Sequence, residues 1–333
     1  MIKLTIDGIE VQVEEGATIL QAARKIGGSV VPPAMCYFSK LAGSGGKCRT
    51  CLVKVAESSA RDPRPMAKLV ASCSTPVQDG MVVLNNTSPE VVDARKAVVE
   101  FLLINHPLDC PVCDQAGECD LQDLSFGFGM EETRYEEERR EFPQIDIGSF
   151  IKLHMNRCIL CYRCVYLCDQ LTGKRVHGVL YRGDVSEIST YIEQAIENDF
   201  SGNVIDVCPV GALTDRTFRF KSRVWFLKPM DVHRDCPACS GKAVAWMFGK
   251  EIYRITGRKD KYNEVEEFIC NTCRFEKKES SDWIIEGPRK ISRQSVISSN
   301  LYEKMKKLSI IKPIEGIVQK PYDLNTEDTE KHG

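Results

Sequence analysis

The sequence predicts an α+β protein assembled from several small, cysteine-rich units. Alternating strand-like sequence begins at the first residues and is broken by Asp7-Gly8, and a helix-period segment follows at once, "ATILQAARKIGG". The chain also holds 16 cysteines, of which fifteen fall in clusters or stand at a spacing that completes one. In a secreted chain such a number would suggest disulfides, but "MIKLTIDGIEVQVEEG" enters strand-like sequence at once, so no signal peptide is expected. The expectation is therefore a reducing compartment and metal or iron–sulfur ligation. A hydrophobic fraction of 43%, a charged fraction of 28% and a net charge of −2 suit a soluble globular chain. They supply no basic field for nucleic acid. The longest strongly apolar run, "VVEFLLI", is too short to cross a bilayer and contains a glutamate, so no membrane span is expected.

The elements follow in order. "KLTI-DG-IEVQV" reads as a hairpin. In the next segment Ile19, Ala22, Ala23 and Ile26 share a helix face, Thr18 and Gln21 make a capping box, and Gly27 is a stop. With the strands "LVKVAE" and "GMVVLN", residues 1–87 predict a β-grasp ferredoxin-like domain, carrying "SSARDPRP" as a surface insertion. Ser88-Pro89 starts a helix with an apolar stripe at Val91, Ala94, Val98, Phe101 and Leu102, which runs up to His106-Pro107. Residues 88–145 form a helical, cysteine-bearing segment in which "EETRYEEERRE" is expected to be a solvated helix face. Residues 146–230 form a ferredoxin-like domain, 231–287 a small four-cysteine domain, and 288–333 a polar extension.

Cys36, Cys48, Cys51 and Cys73 are spaced C-x11-C-x2-C-x21-C around "AGSGGKCRTC". Glycines let the backbone wrap a cluster and aim N–H groups at its sulfurs. Three close ligands and one distant one on a β-grasp frame are the [2Fe–2S] arrangement of plant-type ferredoxins, matched in architecture rather than in spacing. A structural zinc site is the alternative. "NRCILCYRCVYLCDQ" then gives C-x2-C-x2-C-x3-C, and "VIDVCPVGAL" returns a Cys-Pro at Cys208. Reading back from Cys208 by the same spacings meets Val204, Ser201 and Asn198, so a second cluster of that pair cannot form. One [4Fe–4S] cluster on Cys158, Cys161, Cys164 and Cys208 is expected, with Cys168 left as a core thiol.

"NHPLDCPVCDQAGECDLQD" brings Cys110, Cys113 and Cys119 together, and no nearby cysteine completes the set. His106 stands four residues before Cys110, at a helix end where Pro107 lets the chain curl back. Histidine is a competent iron ligand, so a second [4Fe–4S] cluster on His106, Cys110, Cys113 and Cys119 is expected. Neutral imidazole in place of thiolate removes one negative charge, which favours the reduced cluster. Farther on, Cys236/Cys239 and Cys270/Cys273 form two C-x2-C pairs. Paired knuckles with "CPAC" are a common zinc-ribbon form, and a further [4Fe–4S] cluster is the alternative.

H-x3-C-x2-C-x5-C after a [2Fe–2S] ferredoxin unit, followed by C-x2-C-x2-C with a remote Cys-Pro, resembles the NuoG-type iron–sulfur subunits of bacterial respiratory complex I, NADH:quinone oxidoreductase, over roughly residues 1–225. The resemblance implies an electron-relay subunit with one [2Fe–2S] and two [4Fe–4S] clusters. It implies partners that are the flavin/NADH-binding subunit and the quinone-module subunits, and a peripheral place on the cytoplasmic side of the bacterial inner membrane. Electrons would enter at the Cys36 centre, pass to the Cys158 centre and leave through the His106 centre. Similar chains occur in NAD-linked hydrogenases and formate dehydrogenases as diaphorase subunits, which is the alternative setting. The chain departs from the family in two places. Ala243 stands where the third cysteine of a C-x2-C-x3-C site is expected, and fewer than fifty residues follow "ESSDWIIEGPRK", too few for the family's molybdopterin-enzyme-like domain. No G-x-G-x-x-G lies between a strand and a helix, so NADH and FMN are expected on a partner, and no complete active site is expected here. In a different class, the chain would be a structural zinc-bound interaction module.

Overall fold

A computed structural model describes residues 1–130, 133–143, 145–173, 177–190, 196 and 198–291. The extension expected from residue 288 therefore lies, beyond residue 291, outside the described residues.

The chain opens with β1 (Ile2–Ile6) and β2 (Ile9–Val13), antiparallel with Leu4 opposite Val11. Their turn places Asp7 at φ 47° and Gly8 at φ 82°, the mirror-image turn whose twist suits a two-residue hairpin. Helix α1 (Ile19–Ile26) begins with the expected Thr18/Gln21 capping box, and Gly27 ends it at φ 82°. Strands β3 (Leu52–Glu57), β4 (Val70–Ala71) and β5 (Met81–Leu84) complete a sheet of order β2-β1-β5-β3-β4, in which β1 and β5 run parallel. Ile19, Ala22 and Ala23 of α1 pack on Leu4, Ile6, Val53, Val55 and Val83, which gives the predicted β-grasp unit its own core. The inserted "SSARDPRP" stretch is largely exposed and folds on itself through Ser58 N–H to Arg64 O.

Helix α2 (Pro89–Leu103) has proline at its first turn, but Ser88 makes no side-chain cap. Its buried residues are Val91, Val92, Arg95, Val99 and Glu100, whereas Phe101 is 73% exposed, so the buried face is rotated from the predicted stripe. A cation causes that rotation. Fully buried Arg95 donates to Thr50 O (3.0 Å), Leu52 O (3.2 Å) and Asn85 Oδ1 (2.8 Å), and it lies over the Phe128 ring. Helix α3 (Asp120–Phe128) packs on α2. Residues 133–141 are mostly exposed, as expected, but not helical. Like charges such as Glu137 and Glu141, four residues apart, disfavour a helix there.

Next come β6 (Ile151–Leu153), α4 (Arg163–Leu167), β7 (His177–Leu180), β8 (Glu187–Thr190), α5 (Asn203–Val207) and β9 (Leu213–Asp215). β6 pairs with β9 and β7 with β8, both antiparallel. The last unit is a four-stranded antiparallel sheet, order β12-β11-β10-β13, from β10 (Lys228–His233), β11 (Lys242–Phe248), β12 (Glu251–Thr256) and β13 (Ile284–Pro288).

One apolar core runs through the middle units. It joins Met35, Phe38 and Leu41 to Val92 and Val99, then to Leu121, Leu124, Ile151, Val204 and Leu213. Buried ion pairs tie the last sheet to this body. Arg254 of β12 meets Glu118 with two 2.8 Å bonds, and Arg274 meets Asp206 with both side chains almost fully buried.

Candidate iron–sulfur and metal centres

The first set lies in the loop between α1 and β3 and just after β4. Cys36, Cys48, Cys51 and Cys73 are all at most 6% exposed. Gly43, Gly45 and Gly46 take φ 75°, 103° and 71°, which turns successive N–H groups inward. Gly46 N–H donates to Cys73 Sγ at 3.1 Å, while Lys47 and Cys48 N–H both donate to Cys36 Sγ at 3.3 Å. A Cβ on Gly45 would stand 3.2 Å from Cys73 Sγ. The thiols also interact with one another. Contact with Cys36 and then burial push Cys48 well up, whereas a bond from Cys73 brings Cys51 down. Contact with Cys36 lowers Cys73, but its bond to Cys51 and its burial outweigh that and raise it to about 11. Four thiols facing one another under a canopy of N–H donors fit a sulfur-rich anion such as [2Fe–2S].

Cys158, Cys161, Cys164 and Cys208 line one pocket with Leu153, Tyr162, Ile188 and Val210. Cys168 is buried in the main core and does not line that pocket; burial pushes its thiol up to about 12. Leu160 and Tyr162 take positive φ, 51° and 64°, so the ligand loop is tightly coiled, and Leu160 N–H points at Cys158 Sγ at 3.4 Å. Desolvation dominates at every one of these thiols and raises Cys161 to about 12. Buried thiols gathered around a void fit a group that holds them as thiolates.

The third set begins just after α2. His106 Nδ1 is buried and has no hydrogen-bond partner, and burial chiefly lowers the ring to about 4, so it is neutral near pH 7. A neutral imidazole with an unsatisfied buried nitrogen is suited to a metal. Cys110 acts electrostatically on Cys113, and Cys113 on Cys119. Cys119 stands at the N-terminal cap position of α3, with no side-chain capping bond, and is pushed by burial to about 12. Gly211, three residues past Cys208, allows this packing, because a Cβ there would meet Cys113 Sγ at 2.2 Å. The loop is pinned by Arg223, which donates to Cys113 O at 2.8 Å and also to Pro111 O.

The fourth set is built differently. Cys236 and Cys239 sit in the β10–β11 connection, and Cys270 and Cys273 between β12 and β13. All four sulfurs lie within 4.8 Å of one another, with Cys236–Cys270 at 3.8 Å, Cys239–Cys270 at 3.7 Å and Cys239–Cys273 at 3.8 Å. A tetrahedral ion with bonds of about 2.3 Å sets its sulfurs about 3.8 Å apart. Gly241 N–H at 3.4 Å from Cys239 Sγ, Cys273 N–H at 3.5 Å from Cys270 Sγ and Arg234 Nη1 at 3.3 Å from Cys273 Sγ offset the thiolate charge. Gly241 is required at φ +66°, since a Cβ would strike Arg234 O at 1.9 Å. Burial raises Cys236, but the backbone N–H groups of Ala238 and Cys239 more than reverse this and bring it to about 7.

Ligand spacing in the sequence points neither to the cations nor to the second histidine that surround these sites. Arg163 lies inside the ligand run and is 3% exposed, Arg157 precedes it and is 4% exposed, and Arg95 reaches the carbonyls on both sides of Cys51. His177 Nε2 lies 3.3 Å from Cys164 Sγ, with the ring lowered by burial to about 4. Adjacency to ligand cysteines was the available signal for Arg157 and Arg163. His177 offered none, because its approach is created by the β7–β8 hairpin.

Cysteine sets on ferredoxin-type frames, three of which place members in one apolar core, fit the class of iron–sulfur proteins. Residues 1–88 match a 2Fe-2S iron-sulfur cluster binding domain, and residues 95–134 match an NADH-ubiquinone oxidoreductase-G iron-sulfur binding region. Residues 148–214 match the ferredoxin-like domain of NADH-quinone oxidoreductase subunit 3. The NuoG-type subunit of NADH-quinone oxidoreductase from Rickettsia bellii is 46% identical over 228 residues, covering 68% of this chain and 32% of that protein. The NADH-ubiquinone oxidoreductase 75 kDa subunit of Reclinomonas americana is 43% identical over 275 residues, covering 83% of this chain and 38% of that one. A crystal structure of NAD+-reducing [NiFe]-hydrogenase in the H2-reduced state matches with TM-score 0.57 and 26% identity, covering 67% of this chain and 91% of that chain. The chain belongs to the family of complex I iron–sulfur subunits that includes the NuoG-type and 75 kDa proteins. It spans about a third of the length of these curated relatives.

Proposed function

We propose that the chain is an electron-relay subunit of an NADH:quinone oxidoreductase. In this reading Cys36, Cys48, Cys51 and Cys73 hold a [2Fe–2S] cluster. Cys158, Cys161, Cys164 and Cys208 hold a [4Fe–4S] cluster, and His106, Cys110, Cys113 and Cys119 hold a second one. When bound, the clusters supply one-electron outer-sphere transfer. The chain's own residues exclude water from the ligands, keep His106 neutral, and aim the N–H groups of Gly46, Lys47, Cys48 and Leu160 at sulfur. The observation that carries the reading is the sharing of one apolar core by Cys36, Cys48, Cys119, Cys161, Cys164 and Cys208, which belong to all three sets. NADH and flavin bind a partner subunit, and quinone-module subunits receive the electrons. In this reading the chain lies peripherally on the cytoplasmic face of the membrane complex; among the described residues no helix is long and apolar enough to cross a membrane.

The fourth set binds a single zinc ion. Each thiolate of a [4Fe–4S] cluster ends on a different iron, with the cluster's sulfides between them, and such thiolates cannot share one tetrahedron with edges near 3.8 Å. The sulfur spacing therefore supports one ion and a structural role, stapling the β10–β11 and β12–β13 connections. A hydrogenase diaphorase is the second setting, favoured by the likeness to the NAD+-reducing [NiFe]-hydrogenase chain. Anaerobic purification with partners, followed by low-temperature electron paramagnetic resonance (EPR) during reduction by NADH, tests the relay. Three cluster signals with quinone-module subunits in the preparation are expected. Colourless protein with intact metal content would leave only a zinc-bound interaction module.

A further inference from the structure

Two buried arginines, one just before the middle ligand run and one inside it, reach in opposite directions. Arg163, between Cys161 and Cys164, donates through Nη2 to Ala34 O (3.1 Å) and Tyr37 O (2.5 Å), the carbonyls on either side of Cys36. Through Nη1 it donates to Val207 O at 3.4 Å, next to Cys208, and its guanidinium lies 5.5 Å from the Phe38 ring centroid. Arg157, adjacent to Cys158, binds Asp109, adjacent to Cys110, through Nε (3.1 Å to both oxygens) and Nη2, and it donates to Gly211 O at 3.4 Å. One side chain thus spans the first and middle sets, the other the middle and third.

We propose that Arg163 and Arg157 are positioning residues that lock the Cys158 loop against its two neighbours, and that Arg163 alone adds uncompensated positive charge between the first two centres. The proposal rests on the relay reading. The difference in charge follows from their partners. Arg157 faces the Asp109 carboxylate, which cancels its field, whereas the acceptors of Arg163 are neutral carbonyls. A guanidinium remains charged at any accessible pH. A nearby cation in dry surroundings favours the more negative, reduced state of a cluster. The Arg163 guanidinium reaches backbone carbonyls beside both Cys36 and Cys208, so it is within range of both sets. Its Nε is buried without a partner, a cost consistent with a group held for its charge rather than for packing.

The test is a redox titration followed by EPR on the anaerobically purified full chain, with any copurifying partners. The unsubstituted chain must first show three cluster signals; their absence would defeat the relay reading, not this one. Arg163→Gln is expected to lower the reduced-to-oxidised ratio about tenfold at fixed potential in the [2Fe–2S] and Cys158 centres, equivalent to 59 mV for a one-electron centre. The His106 centre should not move. Arg163→Lys should restore the ratio to within about threefold, because it keeps the charge. Arg157→Gln should instead lower the ratio at the His106 centre, by leaving Asp109 unpaired beside it, and leave the [2Fe–2S] centre unchanged. Arg163→Met, which keeps an apolar stem, replaces the Gln variant if that one fails to assemble. A fully assembled Arg163→Gln or Arg163→Met variant that fails to shift both of the first two centres, or that shifts all three equally, would overturn the proposal.

Discussion

The proposed relay region and the C-terminal four-cysteine site arrange cysteine sulfur in opposite ways. In the relay, thiols come from distant segments, line a void or a glycine canopy, and sit in an apolar core with buried arginines near them. At the C-terminal site the four sulfurs close on one another at 3.7–3.8 Å, between the strands of a small sheet. The lesson is that cysteine spacing names the ligands in both regions, whereas at the C-terminal site the sulfur-to-sulfur distances add that one tetrahedral ion fits. The first arrangement suits a group that changes charge, and the second suits an ion that does not.

The largest effect expected from breaking this comparison is at the proposed zinc site. Cys270→Ser should lose the zinc and expose residues 232–287 to proteolysis, since a structural zinc supplies apparent folding energy of about 10–16 kcal/mol. The cluster signals should persist, and their loss in step with zinc would show that the two regions are not separate. Next, His106→Ala should abolish or reshape one [4Fe–4S] signal and leave the [2Fe–2S] signal intact in low-temperature spectra. An unchanged spectrum would mean that another group is the fourth ligand.

A smaller effect is expected where the two regions meet. Asp206→Asn leaves buried Arg274 unpaired and should cost about 3–5 kcal/mol in denaturant unfolding. Burial raises the Asp206 carboxyl, but Arg274 more than offsets that and holds it below its ordinary value. A depressed carboxyl contributes stability that is present above its unfolded value, about 4, and is lost as pH falls through the folded value. The unsubstituted chain should therefore lose more stability on acidification below about pH 4 than the Asn variant does. The smallest effect is expected of Cys168→Ser. All three clusters should assemble, with stability changed by about 1–3 kcal/mol for a buried hydroxyl. Loss of the Cys158-centre signal would return Cys168 to the ligand set.

Much of the fold was legible where local chemistry decides it. Asp7-Gly8 could form little but a hairpin turn, and Thr18 with Gln21 capped α1 as their types require. The loop glycines and the orphaned Nδ1 of His106 stand where ligand spacing led one to look. What could not be read depends on distant partners. The buried face of α2 is set by Arg95 reaching carbonyls some forty residues earlier, which reversed the expectation that Phe101 would be buried. Ser88 looked like a cap but makes no such bond. Arg157, just before the ligand run, and Arg163, inside it, carry no mark of burial in the sequence, because only the tertiary approach of Asp109, Ala34 and Tyr37 buries them. In the C-terminal unit the two C-x2-C pairs stand out in the sequence, whereas the sheet β10–β13 that carries them does not, since β13 pairs with β10 across some fifty residues.

Iron, acid-labile sulfide and zinc per chain, measured together on anaerobically purified protein, test the central claim most directly. Three clusters and one structural ion predict about ten irons, about ten sulfides and about one zinc. About fourteen irons with no zinc would contradict the contrast between the two regions, and zinc without sulfide in protein that had not lost clusters would contradict the relay itself.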